Sequence, residues 1–287
     1  TTVAATTTVL TGKPPIQTAW IGWMQYVREV ERNIVFFKNN DYYDEKKFMD
    51  YPISDTYVPV TYIYEILKKQ NPDLNVREIF PAFREPEHDT FLKQAQSLVE
   101  EFEKPGRHFT YVYWDKLDWY MHEYGPSSQR ASDTLALVDE GYAYLKQNIP
   151  PDSIVIVIAD HGQVDVKPIK LYEYDKLWNT LSQLPSIESR AATFWVKDGK
   201  KKEFENEFLT NFRDKYILYK TEEVLAMNLF GYGEMHPRFR NFLGDYMAIA
   251  IDDAYFVFHP TDFYMKGQHA GLTAEEMQVP LIIYGKQ

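Results

Sequence analysis

The chain reads as an α/β protein with a mostly parallel central sheet flanked by helices and a small α+β insert. Three observations predict this. The run at 153–159, SIVIVIA, is apolar and β-branched without alternation, which suits a strand buried on both faces of a parallel sheet. An amphipathic helix at 131–147 leads into it through Pro150-Pro151, the strand and helix alternation of crossover connections. Earlier in the chain, 76–80 and 107–113 read as strands on either side of a helix at 87–103.

Each element has its own local warrant. Thr2 to Thr11 is read as a helix despite its threonines, because Gly12, Pro14 and Pro15 form a strong stop. A second helix is expected at 55–70. In the helix at 87–103, Phe91, Leu92, Ala95, Leu98, Val99 and Phe102 fall at helical spacing. The run at 107–113 is rich in aromatic and β-branched residues, as strands are. After His161 the pattern changes: a strand at 192–196, a charged helix at 201–216, a helix at 221–229 and a strand at 246–251. These suggest an α+β insert at 165–250, placed between two motifs and so able to cap a site. Residues 1–164 and 251–287 would form the core, closing with a strand at 278–284.

Composition narrows the function classes. Of 287 residues, 45% are hydrophobic and 25% charged, as in an ordinary globular protein. The net charge of −11 argues against a nucleic-acid scaffold, which would need a basic surface. No stretch approaches the roughly 20 apolar residues of a bilayer span, and no signal-peptide pattern opens the sequence. The visible chain is therefore expected to be soluble and cytoplasmic. Cysteine is absent, leaving oxygen and imidazole as the metal ligands, a set that suits zinc, manganese or magnesium.

Five such ligands lie in three short segments: Asp118 and His122, Asp160 and His161, and His269. Asp160 and His161 follow the strand at 153–159, and the C-terminal strand edge is where open α/β sheets bind ligands. Gly162 permits a tight turn, so the two neighbouring side chains are free to splay toward two ions. Asp118 and His122, four apart, ligate one ion if their segment turns back on itself. Taken singly, Asp118 reads as a helix cap and His122 as a core histidine. The combination makes the case for a two-metal site. Such a site needs a nucleophile, and Thr2 at a helix N-terminus is the candidate, since a metal-bound threonine hydroxyl is activated at neutral pH. The pair Trp20 and Trp23 reads either as packing anchors or as a platform for a base.

The segments TVAATTTVLTG at 2–12, YWDKLDWYMHEYGP at 113–126, ADHG at 159–162 and GQHAG at 267–271 resemble, in order, those of the type I nucleotide pyrophosphatase/phosphodiesterase family of the alkaline phosphatase superfamily. The resemblance implies an alkaline phosphatase-like fold and a hydrolase of phosphodiester or pyrophosphate bonds acting on a small phosphorylated substrate such as a nucleotide. It implies two divalent ions, zinc foremost and manganese as the alternative. Thr2 would form a covalent phospho-threonine and touch the metals; Asp118, His122 and His269 would hold one ion, and Asp160 and His161 the other. It further implies an Asp-Gly ligand at the end of a strand upstream of Thr1, where any targeting segment would also lie. Trp23 stands where many members carry a phosphate-binding Asn, so Gln25, Asn33 or backbone amides are expected to supply that contact. Phosphonoacetate hydrolase-like or phosphomonoesterase chemistry, or a non-catalytic metal-binding module, are the alternatives. Sulfatase chemistry is disfavoured by the absence of a Cys/Ser-x-Pro-x-Arg segment.

Overall fold

The computed structural model describes residues 2–286. It divides into two compact units: Thr1–Val60, Asp160–Tyr264 and Gln268–Gln278 form one, and Thr61–Ala159, Met265–Gly267 and Val279–Gln287 the other.

The first unit opens with the expected helix, Thr2–Thr11. Threonine disfavours helix interiors because its hydroxyl competes for the backbone. Here Thr6, Thr8 and Thr11 donate to the carbonyls of Thr2, Ala4 and Thr7 at 2.6, 2.8 and 2.7 Å. The competing bonds are thereby turned inward, one turn back along the same helix. Val3 anchors the helix in a buried cluster with Ile16, Ala19 and Trp20.

The largest sheet corrects the expectation of a mostly parallel one. Its seven strands run in the order Tyr216–Lys220, Tyr246–Ala250, Ala191–Phe194, Ser186–Ile187, Met24–Val27, Arg32–Val35 and Asn40–Asp41, all in antiparallel pairs. The reason is connection length. Met24–Val27 and Arg32–Val35 are joined by a tight turn with Glu31 at φ 51°, and parallel neighbours cannot be joined so briefly. Strands from within 165–250 pair with each other, Phe194 opposite Tyr246, and continue through Ser186–Ile187 to Met24–Val27. The hairpin at 24–41 and the strand Tyr216–Lys220 are elements the sequence reading omitted.

An aromatic core backs this sheet. The helix Lys201–Phe212 places Phe204, Phe208 and Phe212 one turn apart on one stripe, each essentially buried. They pack with Phe194 and Phe256, and the rings of Tyr216 and Phe256 stack at 4.1 Å. Ala254–Val257 and Lys167–Lys170 form a separate parallel pair in the same unit.

In the second unit the expected crossover is present. Asn75–Ile79 pairs in parallel with His108–Val112 across the helix Phe91–Phe102, which Thr90 caps through a 3.3 Å bond from the Lys93 amide. That helix and Gln129–Asn148 bury Ala95, Leu98, Val99, Leu145 and Ile149 against Ile79. Ser153–Ile158 is the second correction. It pairs antiparallel with Leu281–Lys286 and is not buried on both faces: Ile154 and Ile156 are 68% and 62% exposed. Val155 and Tyr284 pack on the helix cluster, so burial follows the two-residue strand period even though the sequence does not alternate.

Candidate functional site

In the first unit the structure brings Thr2, Asp160, His161 and His269 together. Thr2 Oγ1 lies 2.9 Å from His161 Nε2, placing the first residue of the opening helix against the Asp-His motif. His161 Nδ1 is 2.9 Å from the Gly162 carbonyl. A carbonyl only accepts, so Nδ1 carries the proton, Nε2 keeps its lone pair, and the Thr2 hydroxyl is the donor. Asp160 Oδ2 faces the same Nε2 at 3.4 Å, while Asp160 Oδ1 accepts the His161 amide at 3.1 Å. The His269 ring stacks on His161 with centroids 3.7 Å apart. One hydroxyl, one carboxylate and two imidazoles thus share a corner.

In the second unit Asp118 and His122 sit on the helix Lys116–Tyr124. The expectation of a segment turning back on itself gives way to helical geometry: four residues apart means one turn apart on one face. Asp118 Oδ2 is 3.4 Å from His122 Nε2. His122 Nδ1 donates to the Gly267 carbonyl at 2.8 Å, and the His122 carbonyl accepts the Lys266 amide at 2.8 Å. This fixes the same tautomer as in His161, with Nε2 as the lone-pair nitrogen. Burial pushes the Asp115 carboxyl, at the start of this helix, above its usual range.

The donor chemistry fits a divalent cation. In each unit a lone-pair nitrogen faces a carboxylate oxygen, an arrangement that is repulsive until a proton or cation lies between them, and carboxylate with imidazole is a zinc ligand set. The Nδ1-to-carbonyl bonds are the orienting contacts that metal-binding histidines make.

Loop chemistry explains the corner. Gly162 is held by its amide on the Glu276 carbonyl at 3.0 Å, and a Cβ there would collide with the Glu275 carbonyl oxygen. The Gly271 amide donates to Glu276 Oε1 at 2.7 Å, and a Cβ on Gly271 would meet Glu276 Oε2 at 2.6 Å and Arg190 Nη2 at 2.8 Å. Glu276 is paired with the fully buried Arg190 through bonds of 2.6 and 2.7 Å. Burial acts to raise the Glu276 pKa, but Arg190, the Gly271 amide and Thr273 outweigh it and hold the carboxyl below its ordinary value. Sequence reasoning missed both residues. Thr273 and Glu276 form a capping box, a readable Thr-x-x-Glu signal; Arg190 has no comparable signature.

The expected substrate contacts are placed differently from one another. Gln25 is fully buried, its amide nitrogen donating to the Ala19 carbonyl at 2.9 Å and its oxygen accepting the Ile21 amide at 2.8 Å. Its oxygen and one of its N–H groups are engaged within its own loop. Asn33 is buried and lines a cavity of about 440 Å³ with Tyr26, Arg32, Asp41 and Tyr43. Trp23 is half-buried, with Lys38 Nζ 5.7 Å from its ring and its amide on Glu188 at 2.8 Å. Trp20 is a packing anchor, 5% exposed, with its indole N–H on the Val58 carbonyl.

A second carboxylate–imidazole group, Glu85, Glu87 and His88, lies in the second unit. Both nitrogens of His88 are engaged, Nδ1 with the Phe80 carbonyl and Glu85 and Nε2 with Ser97, which is the satisfied state of a buried structural histidine.

Solved structures share this fold. Murine ectonucleotide pyrophosphatase / phosphodiesterase 5 matches with a TM-score of 0.71 at 19% identity, over 99% of this chain and 77% of that one. The human protein of the same name matches with a TM-score of 0.71 at 17% identity, over 99% and 76%. Phosphonoacetate hydrolase from Sinorhizobium meliloti 1021, in complex with phosphonoformate, matches with a TM-score of 0.66 at 13% identity, over 99% and 78%. Residues 1–271 match the family described as type I phosphodiesterase / nucleotide pyrophosphatase. With nearly its whole length matched, the chain belongs to the type I phosphodiesterase / nucleotide pyrophosphatase family.

Proposed function

We propose that this protein is a zinc-dependent phosphoryl-transfer hydrolase that cleaves phosphodiester or pyrophosphate bonds, with a nucleotide as the substrate class and Thr2 as nucleophile. The observation that carries the reading is the 2.9 Å contact between Thr2 Oγ1 and His161 Nε2, a hydroxyl at a helix N-terminus beside the imidazole of the Asp-His motif. Asp160 and His161 would hold one ion, and Asp118, His122 and His269 the other. When bound, the ions supply positive charge that polarises the phosphoryl group and favours the ionised hydroxyl.

The chain's own residues do the rest. Thr2 Oγ1, its proton released to solvent, attacks phosphorus in line with the leaving oxygen; the P–O bond to the leaving group breaks as the Thr2 ester forms, the departing oxygen takes a proton from water, and a second water hydrolyses the ester and restores the Thr2 hydroxyl. The N-terminus of the helix Thr2–Thr11 stabilises the anionic phosphoryl group beside it. His122, His161 and His269 act as neutral ligands and not as general bases. An inactive threonine-to-alanine form of the murine relative is described in complex with AMP, which supports both the nucleotide class and a threonine in that role. Asn33 or Trp23 is proposed to contact substrate, and the 165–250 segment to shape its approach.

Purified protein should hold about two zinc ions and cleave bis-(p-nitrophenyl) phosphate faster than p-nitrophenyl phosphate. Faster monoester turnover would instead mark a phosphomonoesterase. A zinc-loaded panel of nucleotides and phosphonates separates the pyrophosphatase reading from a phosphonoacetate hydrolase-like one. Thr2→Ala should keep the metals and lose at least about 10³-fold in kcat; an active variant would remove Thr2 from the mechanism.

A further inference from the structure

We propose that the buried Arg190–Glu276 pair is a positioning clasp: it sets the separation of His161 from His269, and through it the affinity of the corner they form for a divalent cation. The cation half of this inference rests on the metal-dependent reading above. One carboxylate and its own peptide unit reach both histidine loops. Glu276 Oε1 accepts the amide of Gly271, two residues after His269, and the Glu276 carbonyl accepts the amide of Gly162, the residue after His161. The other carboxylate oxygen accepts the Thr273 hydroxyl at 2.8 Å.

Arg190 fixes Glu276 in turn. Its Nε and Nη2 grip the two carboxylate oxygens, and its Nη1 donates to the carbonyls of Asp252 at 2.8 Å and Ala254 at 2.6 Å. The guanidinium therefore ties the clasp to the strand Ala254–Val257, and its own residue's carbonyl accepts the Ala250 amide at 2.8 Å at the C-terminal end of Tyr246–Ala250. A bidentate fork of this kind specifies orientation as well as distance. The loop needs such restraint. Ala270, between His269 and Gly271, sits at φ 85°, a left-handed conformation that a residue with a Cβ adopts only when its surroundings impose it. The two glycines supply the clearance that lets the clasp close on both loops, since a Cβ at either meets the Glu275–Glu276 segment.

A buried ion pair is weak evidence for stability alone, because desolvation offsets much of the attraction. The clasp is therefore tested by readouts that a merely stabilising pair would leave unchanged. In metal-free wild-type protein, nuclear Overhauser contacts should connect the ring protons of His161 and His269. Zinc affinity is measured by competition with a chromophoric chelator, and ligand geometry by the visible spectrum of the cobalt(II)-substituted protein. Glu276→Gln keeps the shape of the side chain and removes its charge. It should fold cooperatively yet weaken the ring contacts, shift the cobalt bands and lower zinc affinity about 10–100-fold.

Thr273→Val leaves the ion pair in place and removes one bond to the carboxylate; it should change the same readouts in the same direction by less. Should Glu276→Gln fail to fold, Thr273→Val decides the matter by those readouts. Ring contacts and zinc affinity unchanged in a folded variant would overturn the clasp. A wild-type protein that binds no zinc would overturn the metal reading and the cation half of the inference, while the ring contacts of the metal-free proteins still decide the positioning half.

Discussion

Two pairs of candidate ligands in this protein are built in opposite ways. Asp118 and His122 owe their 3.4 Å approach to one turn of helix, and a single carbonyl sets the imidazole tautomer. His161 and His269 come from loops more than a hundred residues apart in sequence and are brought into ring contact beside a buried charge pair, two glycines and a strained alanine. The local pair needs only helix propensity. The distant pair needs a tertiary frame, so sensitivity to mutation should concentrate at residues that touch no ligand.

The largest test of that contrast is Arg190→Met, which leaves the Glu276 carboxylate buried without its partner and should cost about 3–5 kcal/mol in denaturant unfolding. The double variant Arg190→Met/Glu276→Leu should recover most of that stability yet still bind zinc more weakly, and a double variant with wild-type zinc affinity would show that the pair is not the frame. Next in size is Gly162→Ala, where the new methyl meets the Glu275 carbonyl oxygen; about 3 kcal/mol of stability should be lost, together with zinc binding. Its counterpart beside the helical pair, Gly125→Ala, puts a Cβ on backbone at φ 93° and should cost about 1–2 kcal/mol with zinc binding retained.

Acid provides a finer comparison. Arg190, with Tyr216 beyond it, is the ionisable group facing Glu276, and the Glu276 pKa lies below its ordinary value of 4.5. A carboxyl depressed by folding contributes stability that is complete above that ordinary value and lost as pH falls through the lowered one. The wild-type protein should therefore lose stability more steeply below pH 4.5 than the double variant, read from unfolding midpoints across that range. Equal slopes would remove Glu276 from the acid response. Smallest is Ala270→Gly, which relieves the left-handed strain at φ 85° and should raise stability by about 0.5–1 kcal/mol. The same change should loosen the His269 loop and lower zinc affinity.

How much of this was legible in the sequence follows the same division. The clustering of Thr2 with Asp160, His161 and His269, and the opening helix itself, were readable because each lies in a short segment with its own signature. The helices Phe91–Phe102 and Gln129–Asn148 were readable from their spacing. Sheet direction was not. The run at 153–159 is apolar at every position, so nothing in it distinguishes a doubly buried strand from the half-exposed ribbon that Ile154 and Ile156 show. The hairpin at 24–41 hid behind charged and aromatic residues whose pairing is decided by tight turns, not by alternation. Arg190 could not have been found, because its meaning comes entirely from a partner 86 residues away. Glu276 could have been, since Thr273-x-x-Glu276 announces a helix start, though not its second use as an anchor for glycine amides.

The back-bonded threonines of the opening helix bear on regioselectivity. Thr6, Thr8 and Thr11 each give their hydroxyl proton to a carbonyl one turn back, and Thr7 is buried at 3% exposure. Among the described threonines of that helix, Thr2 alone directs its hydroxyl to an imidazole. Under the proposed phospho-threonine mechanism, a phosphoryl group arriving there would meet several chemically identical alcohols of which one is positioned to react. A helix rich in competing nucleophiles can therefore still yield a single modified site, without any residue being excluded by its type.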